Sequence, residues 1–287
     1  MRILYPFAKR FIAGEDRQTA VRNIKALEEK GYLATVDILG EHVQTEGHAE
    51  SAKNEYLKLL DEGAILNYPL DLSVKVSQMG LDISEDICKK NLEEILEKER
   101  SHTVRLDMEG SDYTQRTIDA GVALHQTHKN LGLVLQASLF RTDSDLESLL
   151  PKGISVRLCK GAYKEPERIA YQSLDKIQEN FLNLAYKILR EGHLPAIATH
   201  DEYLIGKIIE FVNKEQIPPE SFYFELLYGV RRDLQKVLLE KGYQVRIYVP
   251  YGKSWLPYTL RRLGEGKNLI FVIKNLLRET LGLGKIP

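Results

Sequence analysis

The sequence predicts an α/β chain folded as a (β/α)8 TIM-type barrel, with a lead-in helix before the first strand and a further helix after the last. Three observations carry this expectation. Short apolar-rich runs alternate eight times with amphipathic stretches long enough for right-handed crossovers between parallel strands. The 287 residues suit one such barrel, which commonly reaches about 250 residues. Finally, the strand-like runs are apolar at alternate positions only, so one set of side chains would pack on helices and the other would fill the barrel.

The chain opens with a helical pattern from about Asp16 to Lys30, with Ala20, Ile24 and Leu27 on one face. The strand-like runs follow at Leu33 to Leu39, Asp71 to Ser77, Thr103 to Glu109, Gly132 to Ser138, Ile154 to Cys159, Pro195 to Thr199, Ser221 to Leu226 and Gln244 to Val249. The clearest amphipathic stretch between them is Ile169 to Leu189, where Leu174, Ile177, Phe181, Leu184 and Ile188 recur at three- and four-residue spacing. A last helix is expected from Asn268 to Leu281. No domain-scale linker or low-complexity tract interrupts this order, so residues 1–287 read as a single barrel domain. A doubly wound open sheet would need no eighth strand.

Strands of a parallel barrel, buried on both faces, normally read as near-continuous apolar runs. Here Val74, Val76, Val104, Leu106, Met108, Leu133, Leu135, Val156, Leu158, Val245, Ile247 and Val249 would face the helices. Between them stand Lys75, Arg105, Asp107, Glu109, Gln136, Arg157, Glu225, Arg246 and Tyr248, expected to point inward and to cluster toward the C-terminal strand ends, where barrel enzymes build their sites. Pairs such as Lys75 with Asp107, or Arg157 with Glu225, could form a purely structural layer. Polar termini on most of the strands exceed what such a layer requires, because each buried charge costs several kcal/mol unless paired.

Composition narrows the function. Hydrophobic content of 43% with 28% charged residues is that of a soluble globular protein. Lys plus Arg number 40 against 41 Asp plus Glu, a net charge of −1 that argues against a nucleic-acid partner. The two cysteines, Cys88 and Cys159, form no CxxC, so no metal site and a reducing compartment are expected. The apolar run at Met1 to Arg10 is too short for a secretory signal, and no segment reaches the ~18 apolar residues of a membrane span. The expected location is cytoplasmic, with peripheral contact at the inner face of the membrane left open.

No GxGxxG follows the first strand, and Gly282-Leu283-Gly284-Lys285 lacks P-loop spacing. Near the end of the chain, Tyr258, Arg261, Arg262 and Glu265 would share one face of a helix. Two neighbouring guanidiniums repel unless an anion lies between them, and a carboxylate matches their forks bidentately. A surface helix rich in arginine reads the same way from these residues alone. A lysine at a strand end, Lys75 or Lys160, leaves Schiff-base chemistry open, although the crowding of cations there favours binding an anion or an electron-rich ring.

Several motifs together resemble those of the proline dehydrogenase family: Val156-Arg157-Leu158-Cys159-Lys160-Gly161-Ala162-Tyr163, Ala198-Thr199-His200-Asp201, Phe224-Glu225-Leu226-Leu227-Tyr228-Gly229, Tyr248-Val249-Pro250-Tyr251-Gly252, and Tyr258 with Arg261-Arg262 and Glu265. The resemblance runs from Phe11-Ile12-Ala13-Gly14-Glu15 to the C-terminal helix. It implies an FAD-dependent oxidation of L-proline to Δ1-pyrroline-5-carboxylate, electrons passing to a membrane quinone and product to a separate pyrroline-5-carboxylate dehydrogenase. By resemblance, Gln136, Arg157, Lys160, Gly161, Ala162, Thr199, His200 and Glu225 would hold the cofactor, with Arg157 beside the flavin ring. Lys75, Ala162, Tyr163, Leu227, Tyr248, Tyr258, Arg261 and Arg262 would line the substrate, Asp107 would orient Tyr248, and Glu265 would hold an arginine in place. Arg157, Lys75, Tyr248 and Asp107 form the implied catalytic set.

Departures from the family pattern are small. Cys159 stands where an aliphatic residue is more common, a volume-compatible change. No aldehyde dehydrogenase module of the kind fused in bifunctional relatives is expected. The readings that compete are a hydroxyproline dehydrogenase, another barrel flavoenzyme such as a methylenetetrahydrofolate reductase relative, a Schiff-base lyase, and a barrel that binds amino acids without turning them over.

Overall fold

The structure is a computed structural model that describes residues 8–66 and 70–264. Eight parallel strands close into a barrel in sequence order: β1 (Leu33–Ile38), β2 (Asp71–Lys75), β3 (Val104–Asp107), β4 (Leu131–Gln136), β5 (Ser155–Cys159), β6 (Ala196–Ala198), β7 (Tyr223–Leu227) and β8 (Val245–Tyr251). Every strand falls on a run the sequence marks. The expected runs overshoot by a residue or two at most ends, and β8 extends two residues further, through Pro250 to Tyr251. Helix α1 (Arg17–Glu28) leads in. After each strand in turn come α2 (Glu46–Gly63), α3 (Glu85–Lys98), α4 (Ser111–His125), α5 (Thr142–Leu149), α6 (Leu174–Glu191), α7 (Glu202–Lys214), α8 (Arg232–Glu240) and α9 (Trp255–Gly264).

Local chemistry explains where the helices start. The side chains of Asp16, Thr45, Ser84, Ser173 and Asp201 accept from backbone N–H groups at the starts of α1, α2, α3, α6 and α7. Ser173 corrects one expectation. The apolar spacing suggests a helix from Ile169, but 169–173 remains outside it: Phe140 N–H donates to Ile169 O, and Ala170 bridges Leu139. Leu174, expected on the apolar face, is 57% exposed. The inward face of α6 is Phe181, Leu184, Ala185, Ile188 and Leu189, all buried. Each large apolar side chain there contributes about 1.5–3 kcal/mol by leaving water.

The main core lies between strands and helices and holds Val74, Val76, Leu106, Leu133, Leu135, Val156, Leu158, Ile247 and Val249, the outward strand set expected from the alternation. A second apolar cluster joins Ala8, Phe11 and Ile12 to Leu39, Trp255 and Tyr258, with Val230 and Leu256 against it. Leu39 follows β1 and Val230 follows β7, so α9 packs at the C-terminal end of the barrel. The expected helix Asn268 to Leu281, the side chains of Arg261 and Arg262, and Glu265 lie outside what the structure describes. Among the described residues no helix is long and apolar enough to cross a membrane.

Candidate active site

Side chains alternate along each strand, and the inward set here is charged. It comprises Thr35 and Asp37 on β1, Asp71, Ser73 and Lys75 on β2, Arg105 and Asp107 on β3, Ser155 and Arg157 on β5, Glu225 on β7, and Arg246 and Tyr248 on β8. Residues two apart on a strand occupy successive layers of the barrel. Arg105 and Arg246 are each the second residue of their strands, so they sit near the N-terminal end. The expectation that they cluster at the C-terminal mouth is corrected by this register, while Lys75 and Asp107 end their strands there and Tyr248, midway along β8, reaches Asp107 with its hydroxyl.

One chain of alternating charge connects the layers. At the floor Arg246 Nη2 lies 2.7 Å from Asp71 Oδ2, and Arg105 Nη2 donates to Ser155 Oγ at 2.9 Å. Arg246 reaches Glu225 at 3.9 Å, and Glu225 Oε1 lies 2.6 Å from Arg157 Nε, off the N–H axis. Arg157 then donates from Nη1 to Asp107 Oδ1 at 2.7 Å and from Nη2 to Ser73 Oγ at 2.8 Å. Asp107 Oδ2 accepts from Tyr248 Oη at 2.7 Å and stands 3.8 Å from Lys75 Nζ, which donates to Asp37 at 2.5 Å. The Arg157 guanidinium also lies 5.3 Å from the Tyr248 ring centre, within cation–π range.

The electrostatics follow from burial opposed by pairing. Burial alone would lower the Lys75 ammonium, but Asp37 and Asp107 outweigh it and hold the group above the ordinary lysine value. Arg157 is likewise held up by Glu225 and Asp107 against its burial. Burial, then the Asp107 charge, raises the Tyr248 phenol well above its usual range. Asp37 is raised by burial, with Lys75 opposing. Arg105 is pushed down to about 10 by burial and by its neighbours Arg157 and Arg246. Fixed cations at the level of Arg157 and Lys75 suit ligands that carry or gain negative charge.

The residues on β4 to β7 form a rim beside this network. Gly161, just after β5, has φ +108, and a Cβ there would strike the Ser138 side chain and lie 3.4 Å from Gln136 Oε1. Only glycine lets the β5 end pass so close to the β4 end. Gln136 Nε2 donates to Glu109 O at 3.1 Å. Lys160 Nζ donates to Asp201 at 2.5 Å, and Gln178 donates to the same oxygen. Thr199 is buried and its hydroxyl accepts from Asp201 N–H. His200 Nε2 accepts from Leu227 N–H at 2.8 Å, which requires the lone pair on that nitrogen and places a ring proton on Nδ1. Ala162 and Tyr163 are exposed at the same end, Tyr163 near Gly110. Burial pushes the Cys159 thiol up to about 11, which suits a packing role.

The structure thus joins Lys75, Asp107, Arg157, Glu225 and Tyr248 directly, and sets Gln136, Lys160, Gly161, Thr199, His200 and Leu227 along one side. It adds Asp37, Asp71, Ser73 and Asp201, which sequence reasoning missed. The first three share the inward parity of Thr35, Lys75 and Arg105, so the alternation itself was the available signal. A cavity of about 970 Å³ opens to the other side, lined by Glu15, Leu39, Gln78, Tyr251 and one face of α2, and none of the ion-pair chain lines it.

Comparison with known proteins agrees with this architecture. The family model described as proline dehydrogenase matches residues 20–272. Proline dehydrogenase 1 of Bacillus subtilis is 35% identical over 275 residues, covering 95% of this chain and 91% of the relative. Proline dehydrogenase of Deinococcus radiodurans is 33% identical over 287 residues, covering 96% and 91%. A crystal structure of proline utilization A from Bdellovibrio bacteriovorus, inactivated by N-propargylglycine, superposes with a TM-score of 0.85 at 24% identity, which bears on the fold. The match covers 98% of this chain and 34% of that one. A barrel whose family match runs nearly from end to end, and whose relatives align along almost their whole length, belongs to the proline dehydrogenase family, oxidoreductases that act on proline.

Proposed function

We propose that this barrel oxidises L-proline to Δ1-pyrroline-5-carboxylate with FAD as its resident cofactor. The carrying observation is Asp107, one buried carboxylate that accepts from Arg157, assigned to the cofactor, and from Tyr248, assigned to the substrate. The donor set fits a flavin. A permanently charged guanidinium, an amide on β4, a glycine-opened backbone after β5 and a histidine fixed by the Leu227 N–H all stand along β4 to β7. Gln136, Arg157, Lys160, Gly161, Ala162, Thr199 and His200 would hold the cofactor, and Glu225 would act on it through Arg157. The bound flavin supplies the acceptor for the hydride equivalent that leaves the ring carbon beside nitrogen.

The chain's own groups do the rest. Arg261 and Arg262 on α9 take the substrate carboxylate, with Glu265 holding one of them. Lys75, Ala162, Tyr163, Leu227, Tyr248 and Tyr258 shape the pocket around the pyrrolidine ring, so that the reacting carbon is presented in one orientation. Asp107 keeps the Tyr248 phenol from turning, and Arg157 would supply a fixed positive charge to the bound cofactor. Electrons would pass to a membrane quinone through peripheral contact at the inner face, and the product to a separate pyrroline-5-carboxylate dehydrogenase.

A Schiff-base lyase is the weaker reading on the geometry, because a lysine nucleophile must lose its proton. Lys75 is held charged between two carboxylates, and Lys160 is paired with Asp201. The deciding experiment is optical. Purified protein should be yellow and bleach anaerobically on addition of proline. Colourless protein that cannot be reconstituted with FAD would overturn the proposal.

A further inference from the structure

We infer that Glu15 and Trp255 form a positioning joint through which the segment before the first helix sets the angle of α9, and with it the substrate-binding arginines; this rests on the function proposed above. Trp255 is the first residue of α9, directly after the β8 connection. Its indole N–H donates to Glu15 Oε1 at 2.7 Å, and its ring is buried in the satellite cluster with Phe11, Ile12, Leu39 and Tyr258.

The segment that carries Glu15 is itself clamped from three sides. Ala13 N–H donates to Pro250 O at 2.8 Å and Gly252 N–H to Gly14 O at 3.0 Å, which pairs the segment with the end of β8. Asn23 of α1 donates to Ala13 O at 2.6 Å. On the third side the backbone of Arg10 lies against Gly229, so close that any Cβ at Gly229 would overlap the Arg10 carbonyl. Residues 8–15 therefore connect the loop after β7, which follows Leu227, to the root of α9, which carries Tyr258, Arg261 and Arg262.

Tyr258 and Leu256 seat the first turn of α9 in the same cluster, but a small rotation at the root still displaces groups two turns along by more than a hydrogen bond tolerates. The joint removes that freedom. A polar bond to Glu15 and an apolar seat for the indole act on the same residue. Neither group touches the reacting atoms, so both act through α9.

The test separates position from stability. Glu15→Ala deletes the acceptor, whereas Glu15→Gln keeps an amide oxygen in its place. Glu15→Ala should raise KM for proline by about tenfold, the scale of losing one charge-assisted hydrogen bond, with kcat within about twofold and flavin content unchanged. Glu15→Gln should restore KM to within about threefold of wild type. Trp255 is the single tryptophan, so its emission reports the joint without labelling. Tetrahydrofuran-2-carboxylate, a ring carboxylate that cannot be dehydrogenated at nitrogen, should shift that emission in wild type and not in Glu15→Ala. A wild-type KM in Glu15→Ala, or a raised KM accompanied by comparable losses of kcat and melting temperature, would overturn the joint. Should wild type hold flavin yet leave proline untouched, the proposed function fails instead. The joint is then decided by acrylamide quenching of Trp255, which must increase in Glu15→Ala.

Discussion

Tyr248 donates its phenolic proton to Asp107 Oδ2 at 2.7 Å while Arg157 occupies the other oxygen of the same carboxylate. Tyr248→Phe removes a hydrogen bond to a charged group, worth about 1.5–3 kcal/mol, and is expected to lower kcat/KM for proline roughly tenfold to hundredfold. Asp107→Asn should cost more, because it also leaves Arg157 with Glu225 as its one remaining charged partner among the groups described. Since both changes break one arrangement, the double variant should be no worse than Asp107→Asn. Additive losses would mean the bond does nothing for turnover.

The Lys75–Asp37 pair makes a stability prediction. Lys75→Met strands a buried carboxylate, a loss of about 3–5 kcal/mol, and Lys75→Met with Asp37→Asn should recover most of it. The pH dependence has a definite sign. Burial raises the Asp37 carboxyl, and removing the opposing cation raises it further. A group whose folded-state pKa is raised stabilises below its unfolded pKa and loses that contribution as pH rises through the folded value. The melting-temperature deficit of Lys75→Met should therefore be larger at pH 8 than at pH 5. An equal deficit at both would remove Asp37 as the cause.

Turnover should rise from pH 6 to 9, because the substrate amine must be neutral before the hydride leaves. Lys75 and Tyr248 are both held above their ordinary values and keep their protons throughout this range. The inflection of kcat/KM should accordingly be unmoved in Tyr248→Phe. A shift of more than about half a unit would make the phenol the titrating group.

The carboxylate clamp is tested by Arg261→Met and Arg262→Met, each changed alone. Either should reduce kcat/KM by the equivalent of about 2–5 kcal/mol, typical of truncating one partner of a buried charge pair, with FAD still bound. Turnover at the wild-type rate by either variant would release that arginine from the carboxylate.

Tyr258 is buried in the satellite cluster at the C-terminal end of the barrel. A tyrosine against the far edge of the pyrrolidine would crowd the hydroxyl of trans-4-hydroxyproline, and burying that hydroxyl poorly costs about 1–3 kcal/mol, a roughly tenfold to hundredfold preference for proline. Tyr258→Ser should narrow or reverse the ratio, chiefly by losing activity on proline. If wild type prefers hydroxyproline, hydroxyproline dehydrogenase becomes the better reading.

The period-two alternation was enough to find the strands and the inward face, because a parallel barrel with a charged interior must switch polarity at every residue. Depth was not legible. Arg105 and Arg157 look alike in the sequence, and only the stagger between neighbouring strands puts one at the floor beside Ser155 and the other between Asp107 and Glu225. Asp37 was passed over because it stands alone in an apolar run, although its parity matched. The start of α6 was misread for the opposite reason: Ile169 and Leu174 keep the helical spacing, but backbone bonds to Phe140 and Leu139 hold the segment before Ser173 outside the helix.

The longest register in the barrel joins its first and last strands, from Leu33 opposite Arg246 to Ile38 opposite Tyr251. Until β8 arrives, Asp71 and Glu225 lack Arg246, Asp107 lacks Tyr248, and the interior stays open to water along one side. Closing the seam and drying the charges are therefore a single late event in the life of the chain. A nascent polypeptide still on the ribosome can build its outer helices and most of its sheet, but it can hold neither the ion-pair chain nor the site above it. Folding of this enzyme should be governed by that most distant pairing, slow as non-local closures are, and a chain cut short before β8 should remain an open, hydrated sheet.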